Sequence, residues 1–160
     1  MNESDRALLV ELRRLLLQLH KTLIDWQRAE YEGVHGRLQT TQLLNVMFND
    51  PEFAWLRSMS GLIVRIDETL EAKPPKSEPS DPPSRPEAAT ARPRRSSSPI
   101  SRAEEGTGPL VAAARDLIAP EAGSPYAQRY HAALQELPDA VLAHRDLVLL
   151  MKLQRPASTA

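Results

Sequence analysis

Four histidines, His20, His35, His131 and His144, are the residues in this chain best suited to proton transfer or metal binding. Carboxylate-bridged metal bundles need two Glu-x-x-His turns and two further inward carboxylates, drawn from facing helices. One such turn is present, Glu32-Gly33-Val34-His35, with a glycine inside it and no second copy near His131 or His144. No metal site and no cofactor are therefore expected. The chain has no cysteine, which removes thiolate ligands, disulfides and a cysteine nucleophile. With 6 glycines it holds neither a Gly-x-Ser-x-Gly elbow nor a phosphate-cradling loop.

One polar constellation is left. Glu30 falls on the helical line of Leu12, Leu19 and Leu23, and a carboxylate aimed at a core needs a hydrogen-bonded or charged partner. Arg57, Arg65, His20 and His131 are the candidates. A polar pocket built from His20, Glu30, Tyr31, Arg57 and His131 would suit a small-molecule-binding protein or an enzyme. The simpler reading is preferred: the core ends at Trp26, Glu30 meets water, and His131, beside Tyr126, Tyr130 and Leu134, is a packing residue.

Arg92-Pro93-Arg94-Arg95 is the densest run of positive charge. Three arginines contact phosphates weakly and without regard to sequence. Lys73 to Thr107 as a whole carries 7 basic and 5 acidic residues and no aromatic ring for base stacking, and the net charge of the chain is -1. Weak nucleic-acid binding is thus a second alternative and not the expected function. Pro79-Ser80-Asp81-Pro82 and Pro83-Ser84-Arg85-Pro86 have the spacing of extended proline ligands, although a stretch so rich in proline gives such matches by chance.

The elements that position these groups are helices. Ser4 to Glu32 carries a stripe of Leu8, Leu12, Leu15, Leu19, Leu23 and Trp26, widened by Leu9 and Leu16. A second stripe, Val10, Leu17, Ile24 and Tyr31, repeats every seven residues and is the candidate interaction face, open to the C-terminal helices or to a second copy. This spine helix starts at Ser4 or Asp5 and ends by Gly36. Thr40 or Thr41 caps a short helix over 42–48. Asp50-Pro51-Glu52 opens a third, combining a capping carboxylate, a proline where its missing N–H costs nothing, and an acid at the positive dipole end. There Leu56, Met59, Ile63, Ile66 and Leu70 form a bundle seam, with Phe53, Trp55 and Leu62 thickening it, antiparallel to the spine.

Lys73 to Thr107 holds 8 of the 14 prolines and 7 serines, and reads as a disordered linker that cannot bury enough surface to offset its ordering entropy. Helices resume over 108–155. Leu110, Val111, Ala114, Leu117 and Ile118 line the first of them. Tyr126, Tyr130, Leu134 and Leu137 line the second. Val141, Leu142, Leu147, Val148, Leu150, Met151 and Leu153 give the last a wide apolar arc, and residues 156–160 form a tail. About 48 residues are marginal for independent folding, so this part is expected to pack back onto the 1–72 hairpin. The fold class is an all-α bundle of five or six helices interrupted by the linker.

Leu19-His20-Lys21, Ala29-Glu30-Tyr31-Glu32 and Asp50-Pro51-Glu52-Phe53-Ala54-Trp55-Leu56-Arg57 resemble recurring segments of a group of small uncharacterised bacterial helical proteins, which also carry a Tyr-His pair like Tyr130-His131. The resemblance implies a bacterial cytoplasmic protein and transfers no catalytic residues. The acidic, polar start of the chain and the lack of a long apolar run agree with that localisation and with no membrane contact. The expected function is a non-enzymatic interaction or regulatory module, binding a protein partner or itself through apolar helix surface.

Overall fold

A computed structural model describes residues 1–72 and 106–153. The expected linker, apart from its last two residues, lies outside the described residues, as do the arginine cluster and the 156–160 tail. The described residues form an all-α bundle of six helices without strands: α1 (Glu3–His35), α2 (Thr40–Asn49), α3 (Arg57–Glu71), α4 (Thr107–Ile118), α5 (Pro125–Glu136) and α6 (Pro138–Leu153). A 3-10 segment, Pro51–Leu56, leads into α3.

α1 is capped by Asn2, whose side chain accepts from the Asp5 N–H at 2.7 Å, and not by Ser4 or Asp5. It stops at Gly36, which turns the chain at φ +89°, a region that favours glycine. Its 33 residues span about 50 Å at 1.5 Å per residue. Leu9, Leu12, Leu16, Leu19, Leu23 and Trp26 are buried, stepping by 3 and 4, with Leu15 widening the face. Leu9 takes the place expected of Leu8, which is half-buried.

α3 runs antiparallel to α1, and a row of polar contacts shows how they align. The Arg6 guanidinium donates to the Leu70 carbonyl at 3.0 Å, Arg13 pairs with Asp67, His20 Nε2 lies 2.8 Å from Ser60 Oγ, and Trp55 Nε1 donates to Gln27 Oε1 at 2.9 Å. The four α1 residues are seven apart, so they flank the leucine seam on one side of the helix. On the other strand of this pairing Phe53, Leu56, Met59, Leu62, Ile63 and Ile66 are buried. Asp50 caps the turn as its residue type requires, its carboxylate accepting from the Glu52 N–H at 2.9 Å, although the first turns are 3-10.

α2 is capped by Gln39, not by Thr40 or Thr41, and the Gln39 N–H donates to Gln42 Oε1 at 2.9 Å. Its connection to α1 is fastened by Glu32, whose carboxylate accepts from the Leu38 N–H at 3.0 Å and from Arg28 at 2.9 Å. The first of these contacts, then Arg28, holds the Glu32 carboxyl below its ordinary pKa.

α1 packs most extensively against α6 and α3, and α4 lies against α3 and α6. α6 meets α1 antiparallel. Trp26 Nε1 donates to Glu136 Oε2 at 2.8 Å just before α6, and the Asp146 charge further along α6 acts on Arg14. Its buried residues are Ala140, Ala143, Leu147 and Met151, whereas Val141, Leu142 and Leu153 of the expected arc face solvent. The C-terminal helices leave the second stripe of α1 largely open: Val10 and Leu17 are 49% and 40% exposed, while Ile24 and Tyr31 pack partly against the core. Among the described residues no helix is long and apolar enough to cross a membrane.

Candidate functional site

The densest polar and aromatic cluster sits where the last turns of α1 meet the 3-10 segment and α5. Gln27, fully buried, is at its centre. The Gln27 amide oxygen accepts from Trp55 Nε1 and from the Arg129 guanidinium, each at 2.9 Å, while its Nε2 is buried without a partner among the described residues. A second Arg129 nitrogen donates to Glu30 Oε2 at 3.1 Å, and the guanidinium lies 5.5 Å from the centre of the Trp26 ring. Cation and indole face attract through the ring quadrupole. Arg129 and Glu30 are both over a third exposed, so their ion pair orients more than it stabilises.

From there an aromatic chain runs into the bundle. Trp26 and Trp55 meet edge to face at 6.4 Å, Trp55 and Tyr126 at 5.8 Å, and Tyr126 stacks on Tyr130 at 5.6 Å. Tyr126 donates its O–H to the Leu117 carbonyl at 3.0 Å. The Tyr130 hydroxyl lies 2.9 Å from His144 Nδ1. Burial raises the pKa of both phenols and lowers that of His144, to which the nearby His131 charge adds. Both shifts favour the uncharged pair, phenol and neutral imidazole, in this contact. An open groove of about 550 Å³ lies outside this chain, between the 3-10 segment and α5, lined by Pro51, Glu52, Ala54, Trp55, Ser58, Pro125, Tyr126 and Arg129.

The five residues expected to share a polar pocket do not converge. His20 contacts Ser60 on the α1–α3 side, Glu30 belongs to the Arg129 cluster, and His131 is exposed on α5. Tyr31 and Arg57 meet only through Asp50: the Tyr31 O–H donates to its carboxylate at 3.3 Å and Arg57 to its carbonyl at 3.0 Å. None of the four candidates expected to pair with Glu30 does so; Arg129 takes that place. Gln27, Arg129 and Glu136 were not anticipated from sequence, and Trp26 was read only as the end of the core. Gln27 did carry a signal, being one heptad beyond His20.

Ser60 and His20 are the nearest approach to a nucleophile and its base. Ser60 Oγ is also 3.2 Å from the Leu56 carbonyl oxygen, as for a serine bonded back along its own helix, and no carboxylate among the described residues orients the imidazole. Burial lowers the pKa of His20. In the Glu32–His35 turn, Glu32 is held by Leu38 and Arg28, and His35 lies 3.5 Å from Glu52. Among the described residues no group of three or more histidines and carboxylates is placed to hold a metal ion. What the cluster presents is aromatic faces, one guanidinium and a buried amide, held by contacts within the bundle.

No protein-family model, curated protein or solved structure matches this chain.

Proposed function

We propose that the protein is a non-enzymatic helical interaction module that binds a second copy of itself, or another protein, through an apolar strip on α1 and α3. One observation carries the reading. Val10 and Leu17 on α1 and Val64 on α3 are exposed by 49%, 40% and 52%. The alignment that joins Arg13 to Asp67 and His20 to Ser60 sets Leu17 and Val64 at the same level. Single exposed apolar side chains are ordinary, but a row of them on adjoining helices is a contact surface. Val10 and Leu17, one heptad apart and continued by half-buried Ile24 and Tyr31, present the repeat that a partner helix reads.

Sedimentation velocity and circular dichroism on wild type, Leu17→Glu and Val64→Glu test this. The wild type should associate with rising concentration, and both variants should remain helical and monomeric, since each new carboxylate sits at the surface. A monomeric wild type directs the same pair of variants to a foreign partner, whose binding they must abolish. Association that survives both substitutions overturns the proposal.

A further inference from the structure

The groove beside the aromatic chain has a recognisable chemistry. Its wall is made by the rings of Trp55 and Tyr126, inclined at 60° to one another. Both rings have their polar ends turned inward, Trp55 to Gln27 and Tyr126 to the Leu117 carbonyl, so each is fixed before any ligand arrives. Pre-fixed aromatic faces lose little freedom on binding. Such faces are what extended proline-rich peptides dock against, because the pyrrolidine ring packs flat on them and the peptide is itself already stiff. The Ser58 hydroxyl, exposed at the groove, makes no hydrogen bond among the described residues and can donate to a peptide carbonyl.

We propose that the groove is a docking site for a proline-rich ligand, and that its resident occupant is the chain's own stretch Pro79-Ser80-Asp81-Pro82-Pro83-Ser84-Arg85-Pro86. Charge supports the choice. The stretch has one acid and one base, Asp81 and Arg85, about 12 Å apart at the polyproline rise of 3.1 Å per residue. The groove carries one base on α5, Arg129, and one acid on the 3-10 segment, Glu52, each still over a third exposed beside its own partner, Glu30 and His35. Reach supports it too. α3 returns the chain about 24 Å from the groove end over 16 residues, and the 7 residues from Ala72 to Pro79 extend to about 23–25 Å. Pro83 and Pro86 have length to spare. Tethering supplies an effective concentration in the millimolar range, so weak contacts suffice for occupancy.

The test is competition in trans. A synthetic peptide of residues 77–88 is titrated into the full chain and into a full-chain variant with Pro79, Pro82, Pro83 and Pro86 all replaced by alanine. Binding is followed by the Trp55 indole N–H resonance. The peptide should bind the alanine variant saturably and the wild type at least tenfold more weakly, because the wild-type groove is already filled. Adding Ala54→Arg, an exposed change on the groove wall, to the alanine variant should abolish binding while circular dichroism stays unchanged. Equal binding to wild type and variant, no binding to either, or binding that survives Ala54→Arg overturns the proposal.

Discussion

The α1–α3 pairing and the α4–α6 half of the bundle fill one continuous core with different residues. The first buries Leu, Met and Ile at alternating steps of three and four, side chain into side chain. The second buries Ala114, Ala127, Ala133, Ala140 and Ala143, with Tyr130 and Leu147 as its fully buried large side chains beside Leu110. Large aliphatic residues gain by the area they remove from water. Alanines gain little individually; they let helix backbones approach, and what fits between them is fixed by shape. One half is therefore held by volume that must be present, the other by volume that must be absent.

That contrast can be broken by substitutions of opposite sign. Ile66→Ala in α3, at a fully buried site, should lower the unfolding free energy by about 2–5 kcal/mol in urea melts, from lost transfer energy and the cavity left behind. A loss much smaller than this would mean that the α1–α3 seam is not close-packed. In α6, Ala143→Leu adds apolar surface yet should cost about 1–3 kcal/mol, because there is no room for it. Its neighbour Leu142, 48% exposed, should change stability by no more than about 0.5 kcal/mol when truncated to alanine. If Ala143→Leu stabilises the protein instead, the alanine face is loosely packed and the comparison fails.

A smaller effect than either core substitution is a pH dependence shared by the two halves. His20 faces Ser60 in the first and His144 faces Tyr130 in the second, and burial is the main cause lowering both pKa values below the ordinary 6.5. The unfolded chain then takes up protons before the folded one. Stability is full above about pH 6.5 and declines as pH falls through and below it, until the folded-state values are passed. The thermal midpoint should drop by a few degrees between about pH 7.5 and pH 5.5. His20→Gln with His144→Gln should flatten that profile; an unchanged slope in the double variant would assign the effect to other groups.

Much of the first half was legible in the sequence and much of the second was not, for the same physical reason. Leu12, Leu19, Leu23, Met59, Ile63 and Ile66 announce a face because leucine and isoleucine are unlike the polar residues between them. Alanine is equally at home on a helix surface, so Ala140 and Ala143 give no signal, and attention goes to Val141 and Leu142, which the fold leaves outside. Asp50-Pro51-Glu52 was readable because its chemistry is local. Arg129 as the partner of Glu30 was not, because the two stand 99 residues apart and meet only once α5 is docked. The second stripe of α1 was visible as a pattern, but whether the C-terminal helices covered it depended on where α6 lay.

The contacts between α1 and α3 also decide something the leucines leave open. A heptad seam is nearly periodic, so sliding one helix by seven residues, about 10.5 Å, reseats most of its apolar side chains in equivalent hollows. The four polar contacts are not equivalent: an arginine to a carbonyl, an arginine to a carboxylate, an imidazole to a hydroxyl, an amide to an indole. A slip of one repeat brings either His20 or Val34 to Trp55 and takes the Gln27 oxygen away from its N–H. The row is thus an index mark on a repeating scale, and it singles out one alignment among several that the hydrophobic effect alone would rank almost equally.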